Sequence, residues 1–210
     1  MATLRHAAGL CWIAGFVDAV GYFHYGHVFT ANMTGNTVLL GAAVVRADAI
    51  ALTYAGTLAA FAGGVICAVL LKTRVRGLHV PFLFNASVLT ALCLMAPSRL
   101  VVLLALAFAM GLQGGTISAF SGIRLPTVVV TSTLVNLIEG LVLRATPSMD
   151  QKDVPSGNQL RHLLIAWLTY GAGGAAAALA GSARLPLLLP ACVYVVIAAD
   201  LARRDRAGAP

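Results

Sequence analysis

One stretch of the chain, from Gly15 to Asn36, places reactive side chains in apolar surroundings. It reads GFVDAVGYFHYGHVFTANMTGN and contains the carboxyl group of Asp18. An ionised carboxylate in lipid costs several kcal/mol unless it is paired or hydrated, so such residues usually face a cavity or a bundle interior. Helical spacing puts Asp18 and Tyr22 on one face, which predicts the Tyr22 hydroxyl near the carboxylate or one turn away. The alternative is a carboxyl group held neutral, or capped by a neighbouring helix, for packing alone.

Hydroxyl and amide side chains follow this carboxyl group. Gly26 is predicted to end the first helix, and Thr30 or Asn32 can cap the next one, because their side-chain oxygens accept bonds from free backbone N–H groups. A helix that begins inside the membrane points the positive end of its dipole inward. With Asn32, Thr34 and Asn36 beside it, such a terminus can bind an anion or a neutral hydrogen-bonding solute. The same side chains also serve helix packing, at about 0.6 kcal/mol each, and both interpretations stay open.

A second Thr- and Asn-rich segment, PTVVVTSTLVNLIEG, supplies a comparable set of polar groups. Its hydroxyl and amide side chains could face those of the first segment. Glu139 is the second carboxylate of the membrane region, and it either couples a proton or cation together with Asp18 or lies near the cytoplasmic interface. The residues predicted to contact a solute or to line a pore are Asp18, Tyr22, Asn32, Thr34, Asn36, Gln113, Thr131, Thr133, Asn136 and Glu139.

The composition predicts the elements that position these groups. Of 210 residues, 60% are apolar and 10% are charged, whereas a soluble domain carries about 25% charged residues. The apolar segments have close to the roughly 20 residues that a helix needs to cross the hydrocarbon layer. Lipid offers the backbone no hydrogen bonds, so these segments are predicted to be helices. Eight are marked: Ala7 to Phe23, Phe29 to Val45, Ala49 to Leu71, Val80 to Ala96, Leu100 to Phe120, Leu125 to Leu143, Leu160 to Gly181, and Ala183 to Leu201.

The basic residues discriminate between six and eight crossings, because cytoplasmic loops collect Lys and Arg. If the second and sixth segments enter and leave on one side, the 14 basic residues divide 11 to 3, with Arg46, Arg99 and Arg184 outside. Eight crossings weaken this division to 9 to 5. The prediction is therefore an all-α, polytopic membrane protein of about six transmembrane helices plus two short re-entrant or broken helices. Both termini are predicted to be cytoplasmic.

The order of the segments also indicates a weak internal repeat within a single membrane domain of residues 1–210. A span, a Thr-rich segment, a Gly/Ala-rich span and a final span occur twice, at about residues 7–96 and 100–202, before a basic tail of residues 203–210. The sequence GFVD at Gly15 to Asp18 corresponds to GLQG at Gly111 to Gly114. Three crossings in each repeat would make the halves inverted, which is an architecture of transporters with a midplane site.

Several function classes are not supported. The net charge of +7 comes from basic residues scattered between apolar runs rather than from a stripe interleaved with aromatics, so no nucleic-acid partner is expected. The four cysteines lie in apolar segments without a CxxC pair. His24 and His27 lack a third ligand, so neither a metal nor another cofactor is expected. No nucleophile triad, nucleotide-binding loop or kinase signature occurs, and an enzyme is not expected.

The stretch GFVDAVGY, followed by VFTANMTGNTVLLG, resembles the opening of the YoaK family of bacterial inner-membrane proteins, a family without an assigned function. The later GLQ and the second Thr-rich segment resemble the second half of that family, so the similarity covers nearly the whole chain. Where the family has Asn after GLQ and a TGT, this chain has Gly114 and Thr131-Ser132-Thr133. The resemblance implies a polytopic protein of the inner membrane and brings no substrate.

Two functions of different classes follow. The first is a transporter or channel for a small, unidentified solute, indicated by Asp18, the paired Thr/Asn segments and the repeat. The alternative is a non-transporting membrane scaffold or assembly factor, indicated by helix faces made of small residues, such as Gly111 with Gly115. The expected partners are the lipid bilayer and that solute, and the small-residue faces also suit a homo-oligomer.

Overall fold

The computed structural model describes residues 3–74, 77–95, 98–117, 119–120, 123–124, 130–146, 155–181 and 185–207. It is helical, as the composition predicts, apart from a two-residue antiparallel pairing of β1 (Ala119–Phe120) with β2 (Ile123–Arg124). The helices are α1 (Leu4–His24), α2 (Met33–Val45), α3 (Ile50–Arg74), α4 (His79–Met95), α5 (Arg99–Thr116), α6 (Val130–Ala145), α7 (Gly157–Ala180) and α8 (Leu188–Ala207). A short 3-10 turn, Leu185–Leu187, precedes α8.

Local sequence explains where several helices begin and end. The predicted stop at Gly26 is confirmed, because α1 ends at His24 and both Gly26 (φ 89°) and His27 (φ 59°) have left-handed backbone angles. Asn32 caps α2 as predicted, since its side chain accepts the Gly35 N–H at 3.4 Å. The helix α7 ends at Gly181, which adopts φ 64° at low cost because it has no Cβ.

Three predicted boundaries were wrong. The fifth apolar segment was marked to Phe120, but α5 ends at Thr116 and the chain then pairs as β1 and β2. The seventh apolar segment was marked from Leu160, but α7 begins at Gly157, because its N-cap Ser156 accepts the Gln159 N–H at 3.2 Å. Residues 203–207 of the predicted tail continue α8, because nothing in ARRDRA breaks a helix. Residues 208–210 of the predicted tail lie outside the described residues.

The helices α1 and α5 form the centre of the bundle. In the most apolar 18 residues of α1, 67% are buried, and in α5 56% are, against 22% in α3 and in α7. The helix α1 packs on α7, α5 packs on α3, and α4 packs on α8, while α2 lies against α3 and α6 lies against α7. The outer helices expose large apolar side chains such as Leu52 (81%) and Leu179 (88%), as lipid-facing helices do.

Glycines set the closeness of the two main helix pairs. A Cβ atom on Gly15 of α1 would collide with the carbonyl oxygen of Tyr170 on α7, and one on Gly173 would collide with that of Trp12. In the other pair, Gly111 and Gly64 lie against backbone in the same manner. These contacts agree with the close packing that the small-residue faces predict.

The chain directions follow from contacts at both ends of each pair. The Gln113 side chain of α5 reaches the carbonyl oxygen of Leu10 at 3.1 Å. Near the other end of α1, a Cβ on Gly21 would lie 3.8 Å from Leu103. A residue early in α1 therefore meets one late in α5, and the reverse holds at the other end. The helices α1 and α5 are antiparallel.

The helix α3 runs parallel to α5, because Gly56 lies beside Leu104 and Gly115 lies beside Ala68. It is consequently antiparallel to α1, so residues 25–49, which include α2, begin and end on one side of the bundle. The helix α7 is parallel to α1, since Tyr170 contacts Gly15 while Gly174 faces Ala19, and residues 117–156 likewise return to the side where they start.

These directions agree with six crossings and two re-entrant segments. The two re-entrant helices are also short, because α2 has 13 residues and α6 has 16. At 1.5 Å per residue α2 measures roughly 20 Å, well below the roughly 30 Å of the hydrocarbon core. The helix α6, with 16 residues, is one residue shorter than α4, so its assignment rests on the chain directions rather than on its length. In the described part of the chain, five helices are long and apolar enough to cross a membrane, and α4, with 17 residues, is the sixth in this arrangement.

Cysteine labelling can test the arrangement in membranes. In a chain whose native cysteines are replaced, Arg46→Cys is expected to react with an impermeant maleimide from the side opposite to Arg144→Cys. Arg99→Cys should react from the same side as Arg46→Cys and serves as the reference. Eight crossings would place Arg46 and Arg144 on one side, so labelling of both from that side contradicts the re-entrant arrangement.

Candidate functional site: the Asp18 latch

The carboxylate of Asp18 lies at the N-terminal end of α2. The side chain is 3% exposed. Its Oδ1 atom accepts the backbone N–H groups of Thr30 at 2.7 Å and Ala31 at 2.6 Å, and Asn32 donates to both oxygens at 3.2 and 3.1 Å. A negative charge beside a helix N-terminus is stabilised by the helix dipole and by the free backbone donors. We call this arrangement, Asp18 with residues 30–32, the Asp18 latch.

The loop that carries these donors turns back into the bundle. Asp18 precedes the last residue of α1 by six positions, which is roughly 9 Å of helix. Asn36 holds the turn: its Oδ1 accepts the Phe29 N–H at 3.0 Å, and its Nδ2 donates to the Phe29 carbonyl at 2.6 Å. The helix α2 therefore begins at the depth of Asp18, inside the bundle, as the sequence predicts for a re-entrant segment.

Two hydroxyl groups also donate to Asp18, that of Thr30 at 3.5 Å and that of Tyr170 on α7. Tyr22, whose hydroxyl was predicted near the carboxylate or one turn away, forms no described hydrogen bond with Asp18. The ring of Tyr22 stacks on Phe29 at 5.1 Å and meets the ring of His27 edge-on at 4.8 Å. Tyr170 lies 152 residues from Asp18, and no local pattern in the sequence pairs them.

A second polar cluster joins α4, α5 and α8 near the bundle centre. Gln113, which is buried, accepts the Tyr194 hydroxyl at 2.7 Å and donates to the Leu10 carbonyl of α1. Asn85 of α4 donates to the Ala109 carbonyl of α5 at 3.0 Å, which is the kind of interhelical bond that a polar side chain makes in a membrane. Its Oδ1 atom is buried and has no hydrogen-bond partner among the described residues. Tyr194 was not among the predicted site residues.

The predicted polar groups of α6 lie apart from the latch. Thr133 is 4% exposed, but Thr131, Asn136 and Glu139 are exposed on the helix surface. The helix α6 packs on α7 and α2 packs on α3, so the two Thr/Asn-rich sets do not face each other across one site. Glu139 forms no described hydrogen bond or ion pair with Asp18. Thr34 is also exposed, and Asn32 is partly buried at its cap position.

The latch is a set of hydrogen bonds that depends on charge. A carboxylate accepts backbone N–H bonds about twice as strongly as a neutral group does, so adding a proton to Asp18 would weaken several of its bonds together. Within the described part of the chain, no group of three His, Cys, Asp or Glu side chains could hold a metal ion. The geometry is that of a loop anchor whose strength follows the protonation of one side chain.

The sequence is similar to proteins without an assigned activity. The family model described as "Protein of unknown function (DUF1275)" matches residues 6–199. The UPF0700 transmembrane protein YoaK of Bacillus subtilis (strain 168) is 33% identical over 179 residues, covering 78% of each chain. No solved structure matches the chain.

Proposed function

Because this chain belongs to the DUF1275 family, a membrane family without an assigned substrate, we propose its function from geometry: a transporter or channel for a small solute. The observation that carries the proposal is the Asp18 latch, in which one carboxylate holds both the start of a re-entrant helix and a tyrosine of α7. Broken helices that begin inside a membrane are typical of transporters. Such a carboxylate is by default a functional candidate.

We also propose an inverted repeat, which is consistent with this function. Gly15 faces Tyr170 while Gly173 faces Trp12, and Gly111 faces Phe61 while Gly64 faces Phe108. Corresponding residues keep a constant spacing in the sequence. Gly111 and Phe108 of α5 lie 96 residues after Gly15 and Trp12 of α1. Gly173 and Tyr170 of α7 lie 109 residues after Gly64 and Phe61 of α3. The antiparallel directions of α1 and α5 then make the two proposed repeats inverted. In this correspondence Gly114 occupies the position equivalent to Asp18, and Phe61 occupies the position equivalent to Tyr170. The proposed repeats therefore differ in their polar groups.

We place the protein in the inner membrane, with both termini in the cytoplasm. The support is the distribution of basic residues over the two sides of the bundle. Described basic residues on the side of the termini include Arg5, Lys72, Arg74, Arg144, Arg161, Arg203, Arg204 and Arg206, whereas Arg46 and Arg99 lie on the other side.

In the proposed mechanism, the latch controls access past α2. With Asp18 ionised, residues 30–32 are held against α1 and α7 and the path is closed. Protonation weakens the bonds to these backbone groups and to Tyr170 and releases the start of α2. The released N–H groups can then bind an anionic or neutral solute group at the helix terminus.

The scaffold alternative also has an observation in its favour. Asp18, Asn36 and Gln113 all hydrogen-bond to groups of their own chain, which is what a purely structural role requires. The two functions predict different results for a variant with a weakened Asp18 latch. A scaffold keeps its function if the fold survives, whereas a transporter changes its transport rate.

Flux into proteoliposomes tests the proposal. The purified protein is expected to carry at least one member of a panel of small cations, anions and neutral solutes, with a rate that depends on an imposed pH gradient. Tyr170→Phe removes a hydrogen bond to a charged group, which is worth about 1.5–3 kcal/mol. We expect it to change that rate about tenfold or more.

Thr169→Val is the matched control, because among the described residues the Thr169 hydroxyl bonds only to carbonyl groups of its own helix, Ile165 and Ala166. It should leave the rate within about twofold of the unmodified protein. An absence of flux across the panel with folded protein, or equal rates for the Tyr170→Phe and unmodified chains, would favour the scaffold.

A further inference from the structure

A groove of about 630 Å³ lies between the start of α1 and the end of α8. Three arginines line it, Arg5 from α1 and Arg203 and Arg204 from α8, and all three are exposed. The two helices are antiparallel here, because His6 contacts Asp200 and Gly9 lies beside Ile197. The arginines therefore gather at one end of the groove, on the side of the bundle where both termini lie.

The charge of this end is strongly positive. Asp200 is the one acidic residue among the described residues that line the groove, and it accepts bonds from Arg204 Nε at 2.7 Å and His6 Nε2 at 2.8 Å. The Thr3 N–H donates to the other ring nitrogen of His6 at 3.0 Å, which places the imidazole proton toward Asp200. Arg5 and Arg203 form no ion pair with any described residue. Three arginines thus face one carboxylate, and two of them are free to bind an anion.

The rest of the groove is apolar and long. It extends along α8 from Arg204 back to Cys192, which at 1.5 Å per residue is roughly 18 Å. Its walls include Gly9, Val193 and Val196, and Val196 is 68% exposed. A Cβ on Gly9 would lie 3.1 Å from Ile197, so the glycine lets α1 approach α8 and form a narrow floor.

We propose that this groove binds an anionic phospholipid. The phosphate of the headgroup lies against Arg5 and Arg203, and Arg204, oriented by Asp200, completes the set. One acyl chain follows the apolar floor toward Cys192. Basic pockets between transmembrane helices bind anionic headgroups by this charge complementarity. A free phosphate ion would use the arginines alone and leave the roughly 18 Å of apolar groove without a function, so the geometry points to a lipid.

Native mass spectrometry of the purified full-length protein, with added phosphatidylglycerol or phosphatidylcholine, tests the proposal. One basic residue near an anionic surface contributes about a fivefold change in binding, so Arg5→Gln with Arg203→Gln should lower phosphatidylglycerol binding about 25-fold. Arg5→Lys with Arg203→Lys keeps the charge and should retain most of the binding. The matched control is Arg46→Gln with Arg206→Gln, which removes two positive charges outside the groove and should change binding less than about threefold.

Three results would overturn the proposal. Equal binding of phosphatidylcholine would remove the role of the arginines, and an equal loss in the control pair would show attraction by net charge rather than by a site. Displacement of the lipid by excess inorganic phosphate would assign the site to a soluble anion. Gel filtration and thermal unfolding verify that each variant is folded, and transport is not needed for the readout.

Discussion

Asp18→Ala is expected to destabilise the protein by more than about 3 kcal/mol, because it leaves three backbone N–H groups in the bundle without an acceptor. A buried donor without a partner costs about 1–3 kcal/mol, so three such donors outweigh the gain from removing a buried charge. The free energy of unfolding, measured by titration from mild detergent into sodium dodecyl sulfate, gives the size of the effect.

A graded series separates the individual bonds of the Asp18 latch. Asp18→Asn keeps one acceptor oxygen and should lose less than Asp18→Ala, while Tyr170→Phe removes a single bond and should lose about 1.5–3 kcal/mol. Hydrogen exchange should accelerate most in peptides covering residues 25–36, because their amides are the ones released. An Asp18→Ala protein as stable as the unmodified chain, with unchanged exchange in these residues, would contradict the assignment of the latch.

Replacing either of two nearby glycines of α7 with alanine is expected to change the free energy of unfolding, but in opposite directions. Gly173→Ala puts a Cβ against the Trp12 carbonyl and 2.9 Å from the backbone nitrogen of Phe16. Backbone cannot yield as a side chain does, so we expect a loss of about 1–3 kcal/mol, or more if α1 and α7 separate. Gly171→Ala meets nothing within 4 Å and should gain up to about 1 kcal/mol from the higher helix propensity of alanine.

The same unfolding titration measures both variants, and each is the control for the other. If α1 and α7 are pushed apart, Tyr170 also moves from Asp18, so Gly173→Ala should increase hydrogen exchange at residues 30–32 as well. Equal stabilities for Gly173→Ala and Gly171→Ala would contradict the close approach of the two helices. Gly111→Ala in α5 should behave as Gly173→Ala does, because its Cβ would collide with the Phe61 carbonyl.

The parts of the site that were predicted correctly depend on neighbouring residues. Gly26 ends α1 and Asn32 caps α2 because these effects act within one helical turn. The N–H groups that bind Asp18 follow it within 14 residues, and this agrees with the alternative in which a neighbouring helix caps the carboxyl group. The stacking of Tyr22 on Phe29 could not be predicted, because helical spacing does not reveal which ring the following loop brings to it.

Three properties could be predicted from the residues alone: that the chain spans a membrane, which segments are helices, and which two segments differ from the others. Hydropathy, helix length and capping are local, so they can be read without knowing which helices touch. The chain directions and the partners of Asp18, Gln113 and Asn85 became known from the packing of the helices. The chain directions and these partners depend on contacts between distant helices, such as that of Asp18 with Tyr170, where small residues allow two helices to pack closely. No local pattern in the sequence specifies which two helices pack together. Asp18 could be singled out from the sequence as a candidate site residue, but its environment also depends on Tyr170, which could not.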